Sequence, residues 1–315
     1  MPILHWPVSE ELKKEAAENY RTNYAISLQE QSPLDIIKKL TFDGAAPEIS
    51  IAQIRNLFEY VEKHFLKKKI AGIGVEVGAG PATFSSVLVT LPGVEKMYAV
   101  EVCRPIVERL SEKVAEYAAG NLAHKVIPAI GDFDRLWLEN NSVDFVFDFF
   151  SLHHSSDLVV TLKELHRVLK LGGFALCFDK ARPDHYTPQD LDELLDTVYD
   201  QGYNIQFNLP PDLKLTRRLN GEKEYRLKDW QNAFDRAGFR SFDHFYLAKP
   251  AGGRKLTRLV KVASAVLPPA LQLPLNRLLP PPKFKHKFII AHRNRVFAKP
   301  IQNFPKEISL MIAYK

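Results

Sequence analysis

From residue 70 onward, short apolar runs alternate with helical periodicity, and that rhythm restricts the fold more than any other feature of the chain. "IAGIGVEV" reads as a strand, followed by a helix through "TFSSVLVTL", a strand in "KMYAVEV" and a helix through "RPIVERLSEKVAEYA". "HKVIPAI", "VDFVFDF" and "FALCFD" supply three more strands, with helical "LVVTLKELHRVLK" ahead of the last. Alternation at this pitch builds βαβ units, hence a parallel sheet covered by helices on both faces. "LKDWQNAFDRAGF" adds a helix stopped by Gly238, "RSFDHFYLA" a sixth strand and "KFKHKFIIAHR" a seventh. The first 70 residues are helical instead. Acids follow the N-cap serine of "SEELKKEAAENYR", and Ile51, Ile54, Leu57, Phe58, Val61 and Phe65 fall on one helix face after Ser50, with "DGAAP" as the turn between.

Composition narrows the class. With 46% hydrophobic residues the chain of 315 can bury a normal core, which excludes disorder on a large scale. Two cysteines in apolar surroundings give neither a disulfide framework nor a zinc site, so a reducing, cytoplasmic setting is expected. The first twenty residues lack the apolar core of a signal peptide, and no apolar run reaches bilayer-spanning length. Charge is uneven. Residues 251–305 hold eleven Lys and Arg and no acid, leaving 32 basic residues against 37 acidic elsewhere.

Residues 74–85, "GVEVGAGPATFS", form a glycine turn between strand and helix. Gly78 and Gly80 let the backbone turn sharply and bring bare N–H groups close to a ligand, which suits NAD, FAD or S-adenosylmethionine. Thr83 stands where a nicotinamide fingerprint wants glycine or alanine. Glu101 ends the next strand, 21 residues past Gly80, where a carboxylate accepts both hydroxyls of a ribose. It too serves any nucleoside. Asp132 at the following strand end can receive an adenine amino group, with Phe133 supplying a backbone N–H and an apolar wall.

Taken together, "EVGAGPA", "AVEV", "GDFDRL", "VDFVFDFFSLHHSSD" and "LHRVLKLGGFALCFD" stand in an order and spacing that resembles the class I S-adenosylmethionine-dependent methyltransferases, in particular their bacterial small-molecule and glycan-type members. The motifs cover about residues 70–180. The resemblance implies a Rossmann-like α/β fold with a seven-stranded, mostly parallel sheet whose last strand is antiparallel. It implies S-adenosylmethionine as cofactor, S-adenosylhomocysteine as product and no metal. Gly78, Ala79 and Gly80 would hold the methionine moiety, Glu76 would shape that loop and face the ammonium end, and Glu101 with Val102 would take the ribose. Asp132 and Phe133 would take adenine, and Phe149 or Ser151 would line the transferred methyl. Ala82 replaces the third glycine of the family's loop, which is tolerable if its φ is negative.

Methyl transfer from a sulfonium is an in-line displacement, so the protein aligns the nucleophile and excludes water. A hydroxyl nucleophile benefits from a base, and His153 or His154 in "SLHHSSD" is the candidate; the competing reading has both packing or capping the next helix. Asp148, His153, His154 and Asp157 cluster in sequence, but adjacent histidines in extended chain point apart, which argues against a shared metal. In the loops after the fifth strand, Arg182, His185, Tyr186, Arg217 and Arg218 are candidate substrate contacts. The two adjacent arginines suit a phosphate or carboxylate, or are solvated surface charges.

The expected organisation is a helical extension over 1–69, a cofactor-binding core over 70–250 with a substrate lid at 182–224, a basic, proline-rich amphipathic insertion at 251–285, and a final strand and tail over 286–315. The basic insertion has three readings: an anchor on an anionic membrane surface through 254–282, a wall of the pocket or an oligomer contact, and a track for nucleic-acid phosphates. The last is disfavoured by leucine and proline standing where aromatic platforms belong. The expected activity is O-methylation of a small or glycan-like acceptor, lipid-linked in one version, by a cytoplasmic protein that can sit at the inner membrane face. The alternatives are methylation of RNA or another macromolecule and a catalytically silent cofactor-binding protein.

Overall fold

The computed structural model describes residues 1–8, 12, 16–42, 51–247 and 308–315. One compact unit comprises Met1–His244 with Ile308–Lys315, and a second spans Phe245–Glu307. The basic insertion and the stretch "KFKHKFIIAHR" lie outside the described residues.

The centre of the first unit is a sheet of eight strands: β1 (Leu4–His5), β2 (Gly72–Val77), β3 (Val94–Glu101), β4 (Val126–Ile130), β5 (Val143–Phe149), β6 (Leu169–Lys180), β7 (Ser241–Leu247) and β8 (Ile308–Tyr314). Their order is β1-β4-β3-β2-β5-β6-β8-β7. β1 to β6 pair in parallel, and β8 runs antiparallel to β6, with Phe174 opposite Tyr314 and Lys180 opposite Ile308. The mostly parallel Rossmann-like sheet is as expected. One detail is corrected: among the described residues the sheet has eight strands rather than seven, because Leu4 and His5 extend its β4 edge. The strand antiparallel to β6 is "ISLMIAY", an uncharged run buried from Ser309 to Ala313.

Before β2 come α1 (Ala16–Leu28), α2 (Pro33–Phe42) and α3 (Ile51–His64). α2 was not singled out in the sequence. On α3, Ile54, Phe58 and Val61 are buried at helical spacing. Phe58 meets Phe147 of β5 with ring centroids 5.1 Å apart. It also meets Phe84 of α4 (Thr83–Leu88), which follows β2, at 6.1 Å. α5 (Arg104–Ala119) links β3 to β4. The other sheet face is covered by α6 (Leu158–Val168) and α9 (Leu227–Ala237), whose Leu162, Leu165, Trp230 and Phe234 share a core with Val75, Val146 and Cys177. Strands buried on both faces explain why β2 and β5 read as nearly unbroken apolar runs. The insertion after β6 contains α7 (Pro188–Leu195) and α8 (Gln201–Gln206).

Helix α4 starts from Ala82, which is fully buried at φ 62°, ψ 32°. The condition set for tolerating alanine, a negative φ, is therefore not met: the chain needs a left-handed residue here, as the family's glycine would supply. The strain of roughly 1–2 kcal/mol offsets the extra entropy of glycine and the loss of a buried methyl. Ala82→Gly should accordingly stay within about 1 kcal/mol of wild type in urea unfolding, whereas an ordinary buried Ala→Gly change costs more. A loss of about 2 kcal/mol or more would contradict this account.

Candidate active site

Loops at the C-terminal ends of β2 to β6 gather most of the sequence-marked residues. Gly78 and Gly80 both have positive φ, 62° and 52°. Their reasons differ. A Cβ on Gly78 would lie 2.2 Å from the Cβ of Ser151, whereas one on Gly80 would meet nothing within 4 Å. Gly78 is thus a packing requirement, and Gly80 faces open space. Ser151 braces this contact: its hydroxyl lies 2.7 Å from the Val77 carbonyl and within hydrogen-bond reach of Asp148 Oδ1, sharing its one proton between the two acceptors. Ala79 is buried, its N–H donating to the Val100 carbonyl at 2.9 Å.

Glu76 is buried, and its Oε2 accepts the backbone N–H of Ser85 at 2.7 Å and the Ser85 hydroxyl. Oε1 has no hydrogen-bond partner among the described residues. Burial pushes the Glu76 carboxyl up to about 8, the Ser85 bonds opposing and nearby Glu101 adding to the shift. Glu101, only 3% exposed, accepts Gly80 N–H on Oε2 and Cys103 N–H on Oε1, both at 2.9 Å. Arg21 of α1 approaches Oε1 at 3.6 Å. Val102, half-buried, follows in the turn to α5. At the end of β4, Asp132 caps its own turn by accepting Asp134 N–H at 2.8 Å, and burial raises its pKa. Phe133 packs against the core. Trp6, which the sequence did not flag, lies against Gly131: a Cβ there would be 2.8 Å from its indole.

Beyond β5 the backbone turns through Phe150 at φ 56°, a strained conformation for a bulky residue, fixed by its N–H on the Phe178 carbonyl at 2.8 Å. Phe149 stacks on Phe84 at 4.4 Å. The turn delivers His153 onto Asp179. Nδ1 lies 2.7 Å from Asp179 Oδ1, and the His153 backbone N–H donates to Oδ2 at 3.0 Å. No described residue bonds to Nε2. His154 stacks beside it at 4.3 Å; burial, then His153, Arg21 and Lys180, hold its pKa well below the usual range. The two histidines therefore differ: one is oriented by a carboxylate, the other kept neutral. Asp157 caps α6 through Val159 and Val160. Among the described residues, no group of three or more His, Cys, Asp or Glu side chains is arranged to hold a metal.

The expected substrate contacts are dispersed. Arg182 grips Glu224 with two bonds of 2.6 and 2.8 Å, and Arg217 joins the same carboxylate at 2.9 Å. Arg218 instead faces Asp192 and Asp196 beside α7, at the surface. The adjacent arginines do not form one fork, because successive side chains in the turn diverge. His185 is exposed and Tyr186 half-buried, their rings 5.1 Å apart. Closer to His153 stands a group the sequence did not suggest. Lys180 pairs with Glu222 at 2.7 Å, Tyr199 donates to the same carboxylate, and Asn220 Nδ2 reaches the Tyr199 hydroxyl at 3.3 Å. Burial would raise the Glu222 pKa, but Lys180, His153 and Tyr199 outweigh it and hold the carboxyl at about 2.

Residues 75–177 match the methyltransferase domain family. Those residues form a class I S-adenosylmethionine-dependent methyltransferase domain. It is 31% identical over 126 residues to the demethylmenaquinone methyltransferase of Staphylococcus carnosus, covering 39% of this chain and 47% of that protein. With the enzyme of the same name from Staphylococcus haemolyticus it shares 30% over 125 residues, 38% of this chain and 50% of that one. The chain thus spans about half the length of the curated relatives it matches. A Galdieria sulphuraria methyltransferase, provisionally assigned to sarcosine dimethylglycine, superposes with a TM-score of 0.50 at 17% identity, covering 84% of this chain and 85% of that one, a likeness of fold.

S-adenosylmethionine is the cofactor of this domain type, and the methyltransferase loop fits it on three counts. Gly80 leaves open the space a side chain would fill. Glu76 keeps one oxygen unpartnered beside that loop, suited to an ammonium group. The Thr83 hydroxyl, buried at the start of α4, also lacks a partner among the described residues. The Glu76 shift has a consequence for stability. Its folded pKa lies above the unfolded value of 4.5, so the folded state holds the proton longer and stability falls as pH rises from about 4.5 to 8. Glu76→Gln removes this slope, leaving that of Asp148, whose pKa burial and Asp179 also raise. Urea midpoints at pH 5 and 8 should differ less in the variant; an unchanged difference would refute the assignment.

Proposed function

We propose that this protein transfers the methyl group of S-adenosylmethionine to a hydroxyl-bearing small molecule, glycan-like acceptors included, with His153 Nε2 taking the hydroxyl proton. The hydrogen bond between His153 Nδ1 and Asp179 carries the reading. It fixes the tautomer with the proton on Nδ1 and the lone pair on Nε2, the arrangement a base needs. Asp179 acts through His153 and is a positioning residue. When bound, the cofactor supplies an electrophilic methyl on a sulfonium.

Glu101 would accept the ribose hydroxyls, Glu76 the ammonium group, and Asp132 the adenine amino group. His154, neutral and stacked on His153, would exclude water rather than exchange protons. A second version is favoured by the relatives, which are named for demethylmenaquinone. There the same deprotonation of a ring hydroxyl makes an adjacent ring carbon the nucleophile, and methylation falls on carbon. The 182–224 insertion lies outside residues 75–177, which match the methyltransferase domain family, and in this reading it would set the choice between oxygen and carbon. Contact of 254–282 with an anionic membrane would suit a lipid-linked acceptor.

The reading makes two demands. Radiolabelled cofactor incubated with the protein and host lysate should leave label in an organic or small-molecule fraction. Label in RNA would favour a macromolecular acceptor, and no turnover to S-adenosylhomocysteine would mean a silent binding protein. In the variants, His153→Gln should lower kcat about 10²- to 10⁴-fold, and Asp179→Asn should also lower it, with S-adenosylhomocysteine affinity held within about twofold. His154→Gln should leave turnover nearly intact. Full activity in His153→Gln would remove the base assignment.

A further inference from the structure

The proposed cofactor site contains an occupant from outside the matched domain. Glu101 is the carboxylate for the ribose, yet it is 3% exposed and already has Gly80 N–H, Cys103 N–H and the Arg21 guanidinium around it. A carboxylate offers about four lone-pair sites. The two backbone donors use one on each oxygen and leave two, the number a ribose diol needs. Arg21 stands 3.6 Å from Oε1, one of the two oxygens that carry them.

Arg21 is not an isolated surface charge. It sits on α1, whose Tyr24, Ala25 and Leu28 are buried, and its side chain is 26% exposed. Tyr24 touches Phe207, at the end of α8, with ring centroids 4.7 Å apart. Phe207 continues through Tyr203 at 4.4 Å to Tyr199 at 3.8 Å, and Tyr199 bonds Glu222, the partner of Lys180. Gln29 and Gln31, just past α1, are held from the other side by Arg109 and Lys113 of α5. α1 therefore spans from the helix that follows Glu101 to the insertion proposed to cover the acceptor.

We propose that Arg21 is a further positioning residue of the cofactor site, a counter-ion that holds Glu101 in the cofactor-free chain and is exchanged for the ribose hydroxyls. This rests on the cofactor reading given above. A diol cannot reach a carboxylate that is 97% covered, so either α1 yields as cofactor enters or the ribose does not bind Glu101. The exchange keeps Glu101 paired at every stage, which avoids leaving a buried charge uncompensated. Through the aromatic row, displacement of α1 is passed to Tyr199 and the insertion, linking cofactor entry to the acceptor side.

The test is calorimetric titration of S-adenosylhomocysteine into the full chain and its Arg21→Ala, Arg21→Gln and Arg21→Lys variants, with the thermal midpoint of each free protein. Removing the competitor should tighten binding about three- to tenfold in the Ala and Gln variants, the range of a partly exposed ion pair. Arg21→Lys should restore wild-type affinity. Tightening combined with a lower midpoint of the free protein is the signature of exchange, since a purely structural arginine would weaken binding or leave it unchanged when lost. Equal or weaker binding in Arg21→Ala and Arg21→Gln, with normal wild-type binding, overturns the exchange and leaves the cofactor reading standing. Binding by neither wild type nor variants overturns both, and binding by the variants alone supports the exchange.

Discussion

Two buried carboxylates at the ends of adjacent strands hold the site together. Asp148 of β5 accepts the N–H groups of Ser151 and Leu152, at 3.1 and 3.0 Å, and the Ser151 hydroxyl. Asp179 of β6 accepts the His153 backbone, its ring and the N–H of Lys180 at 2.6 Å. Both are fully buried, and the proximity of Asp179 joins burial in raising the Asp148 pKa. At neutral pH the pair thus need not hold two charges in a dry interior. The loop they pin carries Ser151 against Gly78 and His153 onto Asp179, so the glycine loop and the base proposed above are registered to each other through β5 and β6.

The other strand-end acids follow the same logic. Glu76 ties β2 to α4 through Ser85, and Glu101 ties β3 to the glycine loop and to the start of α5. Glu76 takes both Ser85 bonds on one oxygen and keeps capacity on the other, whereas Glu101 takes one backbone bond on each oxygen and keeps capacity on both. A backbone polar group buried without a partner is costly, so an acid at a strand end can serve the fold first and a ligand second. This double use explains why the loops, although irregular, are buried and well connected.

The sheet, the glycine turn and the αL stop at Gly238 were readable because each has a local cause: apolar period, positive φ, a cap. Glu101 and Asp132 were readable from their places at strand ends. The rest depends on distant partners. Asp179 orients His153 across 26 residues, Arg21 meets Glu101 across 80, and Arg182 finds Glu224 across 42; no period in the sequence encodes such pairs. Ala82 misled because alanine ordinarily avoids the left-handed region, and here the loop overrides that preference. Arg217 and Arg218 misled because adjacency in sequence was taken for a shared direction. The eighth strand was missed because two residues, Leu4 and His5, carry no pattern at all.

The division between readable and unreadable follows the chemistry. A cofactor of constant shape is held by backbone turns and strand-end acids, which have to sit at fixed intervals along a βαβ chain. The insertion, proposed above to cover the acceptor, is tied down by a web of ion pairs between distant parts of the chain: Lys180 with Glu222, Arg182 and Arg217 with Glu224. Burial alone would raise the pKa of both glutamates, but the surrounding cations hold them ionised. They fasten the 217–226 turn to the end of β6, and their side chains are committed to each other before any acceptor arrives. Near His153 stand the Phe150 ring, His154 and the Asn220 amide, whose buried Oδ1 has no partner among the described residues. With them stands Lys223, whose backbone N–H donates to the His153 carbonyl at 2.9 Å and whose ammonium donates to the Ser155 and Ser156 carbonyls. On the function proposed above, the aromatic part of this surface would face a ring-bearing acceptor and Lys223 would bring a positive charge beside it.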